Sequence, residues 1–120
     1  MPDGQSSDPC SRITTALRYG VPLDDHEFDV LLPRELRVAS ARFWTPLSVI
    51  RTSLDWLRTE EVERVLDVGS GPGKFCVASA LGSTRQYVGI EHREGLCDAA
   101  RSLAERTGTS DRAQFLNRRV

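Results

Sequence analysis

Lysine is nearly missing from this 120-residue chain: of its 16 basic residues, 15 are arginine and Lys74 stands alone. Nothing physical demands that skew, which reads as a coding bias. Cysteine is scarce as well. Cys10, Cys76 and Cys97 are odd in number and show no Cys-x-x-Cys spacing. That argues against a disulfide framework or a zinc centre and fits a reducing, cytoplasmic setting. With only His26 and His92 as histidines, no metal site is expected. No apolar run approaches the roughly 18 residues of a membrane span. The first ten residues lack the basic start and apolar stretch of a secretory signal. No charge of one sign is in excess either: 16 basic against 17 acidic residues leaves a net charge of −1. Bulk electrostatics therefore gives no indication of a nucleic-acid partner. What is present is ordinary globular composition, 39% hydrophobic and 28% charged, in a length suited to one domain rather than two.

Three stretches differ in character. Residues 1–10, with Pro2, Gly4 and Pro9, are polar and small and are expected to be a disordered tail. Residues 11–58 read as a helical segment. Ser11 is placed to cap a helix through Tyr19 with Ile13, Ala16 and Leu17 on one face, and Gly20 and Pro22 end it. Asp24 or Asp25 can cap a second helix over Phe28, Leu31 and Leu32. Pro33 suits the first turn of another through Ala39. Thr45-Pro46 reads as N-cap and first helical residue, followed by Leu47, Ile50, Leu54 and Leu57 on one face. These stripes are core material first of all.

From residue 62 to 120 the period changes. Arg64-Val65-Leu66-Asp67-Val68 is short, β-branched and bounded by glycine, a buried strand. A glycine-rich turn over 69–73 leads into a helix from Lys74 to Leu81, closed near Gly82. Gln86-Tyr87-Val88-Gly89-Ile90 is a second strand ending at Glu91. Leu96, Ala99, Ala100, Leu103 and Ala104 form a helix face stopped by Thr107-Gly108. Ala113 to Leu116 is a third strand. The order β-α-β-α-β predicts an α/β fold: a partial Rossmann-like parallel sheet with right-handed crossovers, preceded by helices.

The chemistry lies in Asp67-Val68-Gly69-Ser70-Gly71-Pro72-Gly73. Glycine permits positive φ and lets a ligand approach the backbone, and a helix start offers N–H groups and partial positive charge to an anionic group. A phosphate-binding loop would need Gly-x-x-x-x-Gly-Lys-Ser/Thr; Gly73-Lys74 is present, but Val68 and Phe75 break the pattern. A dinucleotide fingerprint would need Gly-x-Gly-x-x-Gly; Gly69 and Gly71 fit while Lys74 occupies the third place. The run matches Asp/Glu-x-Gly-x-Gly-x-Gly throughout and so closely resembles motif I of the class I, Rossmann-like S-adenosylmethionine-dependent methyltransferases. Glu91, 18 residues past the last glycine and at a strand tip, has the spacing of an acid that grips a ribose.

The resemblance covers residues 40–116 and implies a cofactor, S-adenosylmethionine. It assigns Asp67, Gly69, Ser70, Gly71 and Gly73 to the methionine end and nearby ribose, and Glu91 to the ribose hydroxyls. Arg42-Phe43-Trp44-Thr45-Pro46 is similar to an aromatic-Thr-Pro element that some members place against the methionine moiety, which brings Thr45 into the site. His92 reads as a surface residue, and Cys76 and Cys97 as small buried ones. The family sheet has seven strands and this chain supplies three, without the fourth strand and loop where catalytic residues usually lie. The catalytic residues and the methyl-accepting substrate are thus left unassigned. A fragment, or a chain that depends on a partner for its other strands, is expected, with self-association through the exposed Arg64–Val68 edge. Two rival readings stay open: a non-catalytic nucleoside-binding or interaction module, and a nicotinamide-dependent oxidoreductase.

Overall fold

The structure is a computed structural model that describes residues 8–120; the tail expectation for residues 1–7 falls outside them. Four helices precede the sheet: α1 (Pro9–Tyr19), α2 (Asp25–Asp29), α3 (Arg34–Phe43) and α4 (Leu47–Thr59). The α/β part then runs β1 (Arg64–Val68), α5 (Lys74–Gly82), β2 (Gln86–Glu91), α6 (Glu94–Arg106) and β3 (Ala113–Asn117). The sheet is parallel in the order β1-β2-β3.

Local chemistry corrects several expected boundaries. Asp8, not Ser11, caps α1: its side chain accepts the Cys10 N–H at 3.1 Å, and Pro9 fills the first turn, where no donor is needed. Asp24 caps α2 through the His26 N–H at 2.9 Å. That helix stops at Asp29, so Leu31 and Leu32 lie beyond its end. Pro33 stands one place earlier than expected, as the N-cap of α3, which runs on to Phe43. Thr45 is not the cap of α4. Pro46 holds that position, and the Leu47 N–H is taken instead by the Asp25 carboxylate, 2.7 Å away. A carboxylate 22 positions upstream thus does what an adjacent hydroxyl was expected to do.

Period-two burial divides the sheet into two faces. Val65, Tyr87 and Ala113 align across the three strands, as do Asp67, Gly89 and Phe115. This face is covered by α5 and α6, with α1 and α4 packed outside α5. As the middle of that stack, α5 is buried from Cys76 through Leu81, and an all-round apolar helix belongs in such a place. Ile13, Leu17, Phe28, Ile50 and Leu54 close the core from the helical side. The other face carries Leu66 and Val68, 59% and 56% exposed, beside Val88, Ile90 and Leu116. β1 forms one edge of the sheet, as anticipated. No helix among the described residues is long and apolar enough to cross a membrane.

Candidate functional site

β1 and β2 run in register, Asp67 beside Gly89 and Val68 beside Ile90, so the turn after β1 and the tip of β2 meet. The turn folds back by giving two amides to one carbonyl: Gly69 N–H and Ser70 N–H reach the Ile90 oxygen at 2.8 and 3.0 Å. Gly73 N–H donates to the Ser70 oxygen at 3.1 Å. Gly69, Gly71 and Gly73 all hold positive φ, +78°, +58° and +89°, a region costly to residues with a Cβ.

The three glycines serve different ends. A Cβ at Gly69 would meet nothing within 4 Å, so its backbone faces open space. A Cβ at Gly71 would fall 2.7 Å from the Trp44 indole nitrogen, which lies over that glycine. A Cβ at Gly73 would strike Ala100 and Phe115, each at 2.9 Å, so this glycine lets α5 pack onto the sheet. Ser70 turns its side chain down onto Gly89, where a Cβ would lie 2.5 Å from its oxygen. That hydroxyl oxygen is buried and has no hydrogen-bond partner among the described residues.

Glu91 ends β2 at the centre of the site and is only 1% exposed, not a solvated strand-end acid. Its Oε1 accepts the Gly71 N–H at 2.9 Å, and Oε2 accepts the Arg93 N–H at 2.9 Å and Arg93 Nε at 2.8 Å. The Arg93 guanidinium first, then these backbone N–H groups, hold the Glu91 carboxyl down to about 2 against its own burial. Both carboxylate oxygens are therefore occupied by the protein itself. His92 is exposed, 3.7 Å from Oε2. Asp67 is half-buried beside Cys76, whose thiol approaches its Oδ2 at 3.9 Å. Burial raises the Asp67 carboxyl and, more strongly, the Cys76 thiol, which leaves Cys76 protonated and chemically quiet.

Beside the loop is a cleft of about 570 Å³ between Ala39, Phe43, Trp44, Gly69, Arg93 and Leu96. It joins the open backbone of Gly69 to the aromatic corner at the end of α3. Thr45 sits at that corner, half-buried, next to Trp44. A larger hollow, about 680 Å³, lies at the opposite, amino-terminal end of the strands among Arg18, Arg51, Arg58 and Arg85. It contains none of the motif residues. Ligands of open parallel sheets bind at the carboxyl ends, so the smaller cleft is the candidate site.

Arg93 on Glu91 carried no legible signal; Trp44 stood in the aromatic-Thr-Pro element and Lys74 beside the glycine motif, but neither the place of Trp44 over Gly71 nor the burial of Lys74 was readable. Only the isolation of Lys74 among 15 arginines marked it out. Cofactor fit is favourable on the geometry: the open backbone of Gly69 in the loop lies beside the Glu91 carboxylate at the tip of β2, which the Gly71 N–H ties to that loop. The one obstacle is Arg93, which a ribose would have to displace.

Comparison with known proteins places these features in context. A family model described as protein-L-isoaspartate(D-aspartate) O-methyltransferase matches residues 35–117. The 23S rRNA (uracil(1939)-C(5))-methyltransferase RlmD of Polynucleobacter necessarius subsp. necessarius is 28% identical over 109 residues, 90% of this chain and 22% of that protein. Its counterpart from Stenotrophomonas maltophilia is 42% identical over 69 residues, 58% of this chain and 15% of that protein. An RNA methyltransferase from Salinibacter ruber, solved in complex with S-adenosyl-L-homocysteine, superposes with a TM-score of 0.57 at 30% identity. That match covers 62% of this chain and 48% of the other. An O-methyltransferase from Bacillus cereus shares the fold, with a TM-score of 0.61 at 20% identity over 88% of this chain and 49% of its own. The chain thus spans only 15% to 22% of the length of the curated relatives it matches.

Proposed function

Because this chain belongs to the protein-L-isoaspartate(D-aspartate) O-methyltransferase family of class I S-adenosylmethionine-dependent methyltransferases, we propose that it forms the cofactor-binding part of a methyltransferase. The observation that carries this reading is the junction of the two strand tips. The open backbone of Gly69 after β1 and the buried Glu91 carboxylate at the tip of β2 meet there, tied by the Gly71 N–H. The matched proteins named above differ in acceptor, rRNA in some and isoaspartate in the family description. What they have in common is methyl transfer, so the reading attaches to the donor's site and leaves the acceptor open.

When bound, S-adenosylmethionine would supply a methyl group activated by its sulfonium. The residues of this chain bind and orient. Glu91, once released from Arg93, would accept hydrogen bonds from the ribose hydroxyls. Gly69 would admit the ligand to the backbone, Gly71 lets Trp44 close over the loop, and Ser70 and Gly73 keep the loop's shape from beneath. Asp67, already partly desolvated, gains from any cationic group that approaches it. Trp44 and Thr45 wall the cleft on the side of α3. Methyl transfer is mainly a matter of alignment, and such a wall contributes to it. The three free cysteines, two of them buried, support a cytoplasmic setting, and the open β1 edge supports self-association by strand pairing.

Titration calorimetry of the 120-residue chain with S-adenosylhomocysteine and, in parallel, with oxidised nicotinamide dinucleotide tests the reading. Binding of the first and not the second is expected. Heat only from the dinucleotide, or from neither, would overturn it.

A further inference from the structure

Next to the glycine loop lies a buried cluster that the cofactor reading does not use. Lys74 is the first residue of α5, next to Gly73, and is 1% exposed. Its Nζ lies 3.0 Å from Asp29 Oδ1, 3.3 Å from Asp25 Oδ1 and 3.2 Å from Ser40 Oγ. Ser40 donates in turn to Asp29 Oδ1 at 2.7 Å. A buried ammonium must be paired to be tolerated, and here its partners come from both α2 and α3. The Asp25 oxygen that faces Lys74 is also the one that accepts the Leu47 N–H. Leu47 follows the Trp44-Thr45-Pro46 corner directly. A short polar path therefore leads from Gly73 through Lys74 and Asp25 to Leu47. Its two ends bracket the place where Trp44 covers Gly71.

We infer that Lys74 is a positioning residue: through Asp25 it fixes the Trp44 corner against the glycine loop and so sets the wall of the cofactor cleft. A buried ion pair is weak evidence for stability in itself. Anchoring one corner to one loop is a specific geometric role that a pair of apolar residues could not reproduce. The effect on ligand affinity rests on the cofactor reading above; the effect on the position of Trp44 does not.

Trp44 and Trp56 are the only tryptophans, and a Trp56→Phe background leaves Trp44 as the sole indole reporter. In that background, Lys74→Met paired with Asp29→Asn removes the ammonium without stranding a buried charge and keeps an acceptor for Ser40. Acrylamide quenching of Trp44 and calorimetric binding of S-adenosylhomocysteine are both read well below the melting transition. Quenching is expected to rise about twofold and affinity to fall about tenfold, the scale of coupling within one hydrogen-bonded network. Unchanged quenching with a lowered melting temperature would overturn the inference and leave Lys74 purely structural. If the parent chain binds no S-adenosylhomocysteine, the cofactor reading fails, while the quenching result still decides the role of Lys74. Should the double variant not fold, Asp25→Ala breaks the same path at a partly exposed position. Unchanged Trp44 quenching there overturns the inference equally.

Discussion

Replacing Gly73 by alanine is expected to cost about 2–5 kcal/mol, from backbone strain at positive φ and from overpacking together. Gly73 sits at φ +89°, and the added methyl would lie 2.9 Å from both the Ala100 Cβ and the Phe115 ring. Neither neighbour is the loose end of a flexible chain: Ala100 belongs to α6 and Phe115 to β3. Relief would require α5 to lift from the sheet, and α5 is the middle layer of the core. Against a total stability of about 5–15 kcal/mol for a domain this size, the loss is large. Urea denaturation followed by circular dichroism measures it. Gly69→Ala is the control. It shares the positive φ but has open space around it, so only the strain of about 1–2 kcal/mol applies. That variant is expected to stay folded and to lose affinity for S-adenosylhomocysteine, because the methyl closes the backbone the ligand would approach. A Gly73 variant as stable as its parent would contradict the packing described for α5.

Glu91→Gln is expected to weaken S-adenosylhomocysteine binding about 100-fold, since hydrogen bonds to a charged acceptor are worth roughly 1.5–3 kcal/mol each. The amide can still accept the Gly71 N–H, so the loop need not collapse. What it loses is the charge that both Arg93 and a ribose would compete for. The same substitution has a signature in acid. The Glu91 carboxyl is held at about 2 in the folded protein, against an ordinary value of 4.5. A depressed carboxyl contributes stability that is complete above the unfolded value and disappears as pH falls through the folded one. Glu91 therefore supports the parent fold fully above pH 4.5 and progressively less down to about pH 2. In Glu91→Gln that part of the acid dependence is absent, and urea midpoints measured between those limits display the difference. A variant that binds as tightly as its parent would remove Glu91 from the site.

The α/β half of this fold was legible because its signals are local. Val65, Leu66 and Val68 give a β-branched, mostly apolar strand (half-exposed in the structure, not buried as expected), the glycines follow at alternate places, and Glu91 closes the next strand; each is decided by residues a few positions apart. The helical half was harder for a definite reason. Thr45 is a good cap by type, but Asp25, 22 residues upstream of Leu47, takes the Leu47 N–H instead. Sequence proximity gives no view of such a partner. At the first helix two capable residues, Asp8 and Ser11, stood three apart, and Pro9 favoured the earlier start. Within the site, the place of Glu91 was readable and its pairing was not. Arg93 lies two residues on, past the strand tip, where no periodicity tells which way a side chain turns. Ser70 and Gly73 illustrate the same limit. The motif named them, but only three-dimensional packing showed that both face inward toward the sheet.

The burial of Lys74 also determines how this protein can be chemically addressed. It supplies the only side-chain amine in these 120 residues, and that amine is shut inside the fold behind two carboxylates. Acylating labels, amine-reactive cross-linkers and enzymes that tag lysine side chains find no lysine target on the native surface. Acylation at Lys74 is therefore a clock for opening of the domain: it advances only when the helices lift from the sheet, and it counts those openings one molecule at a time.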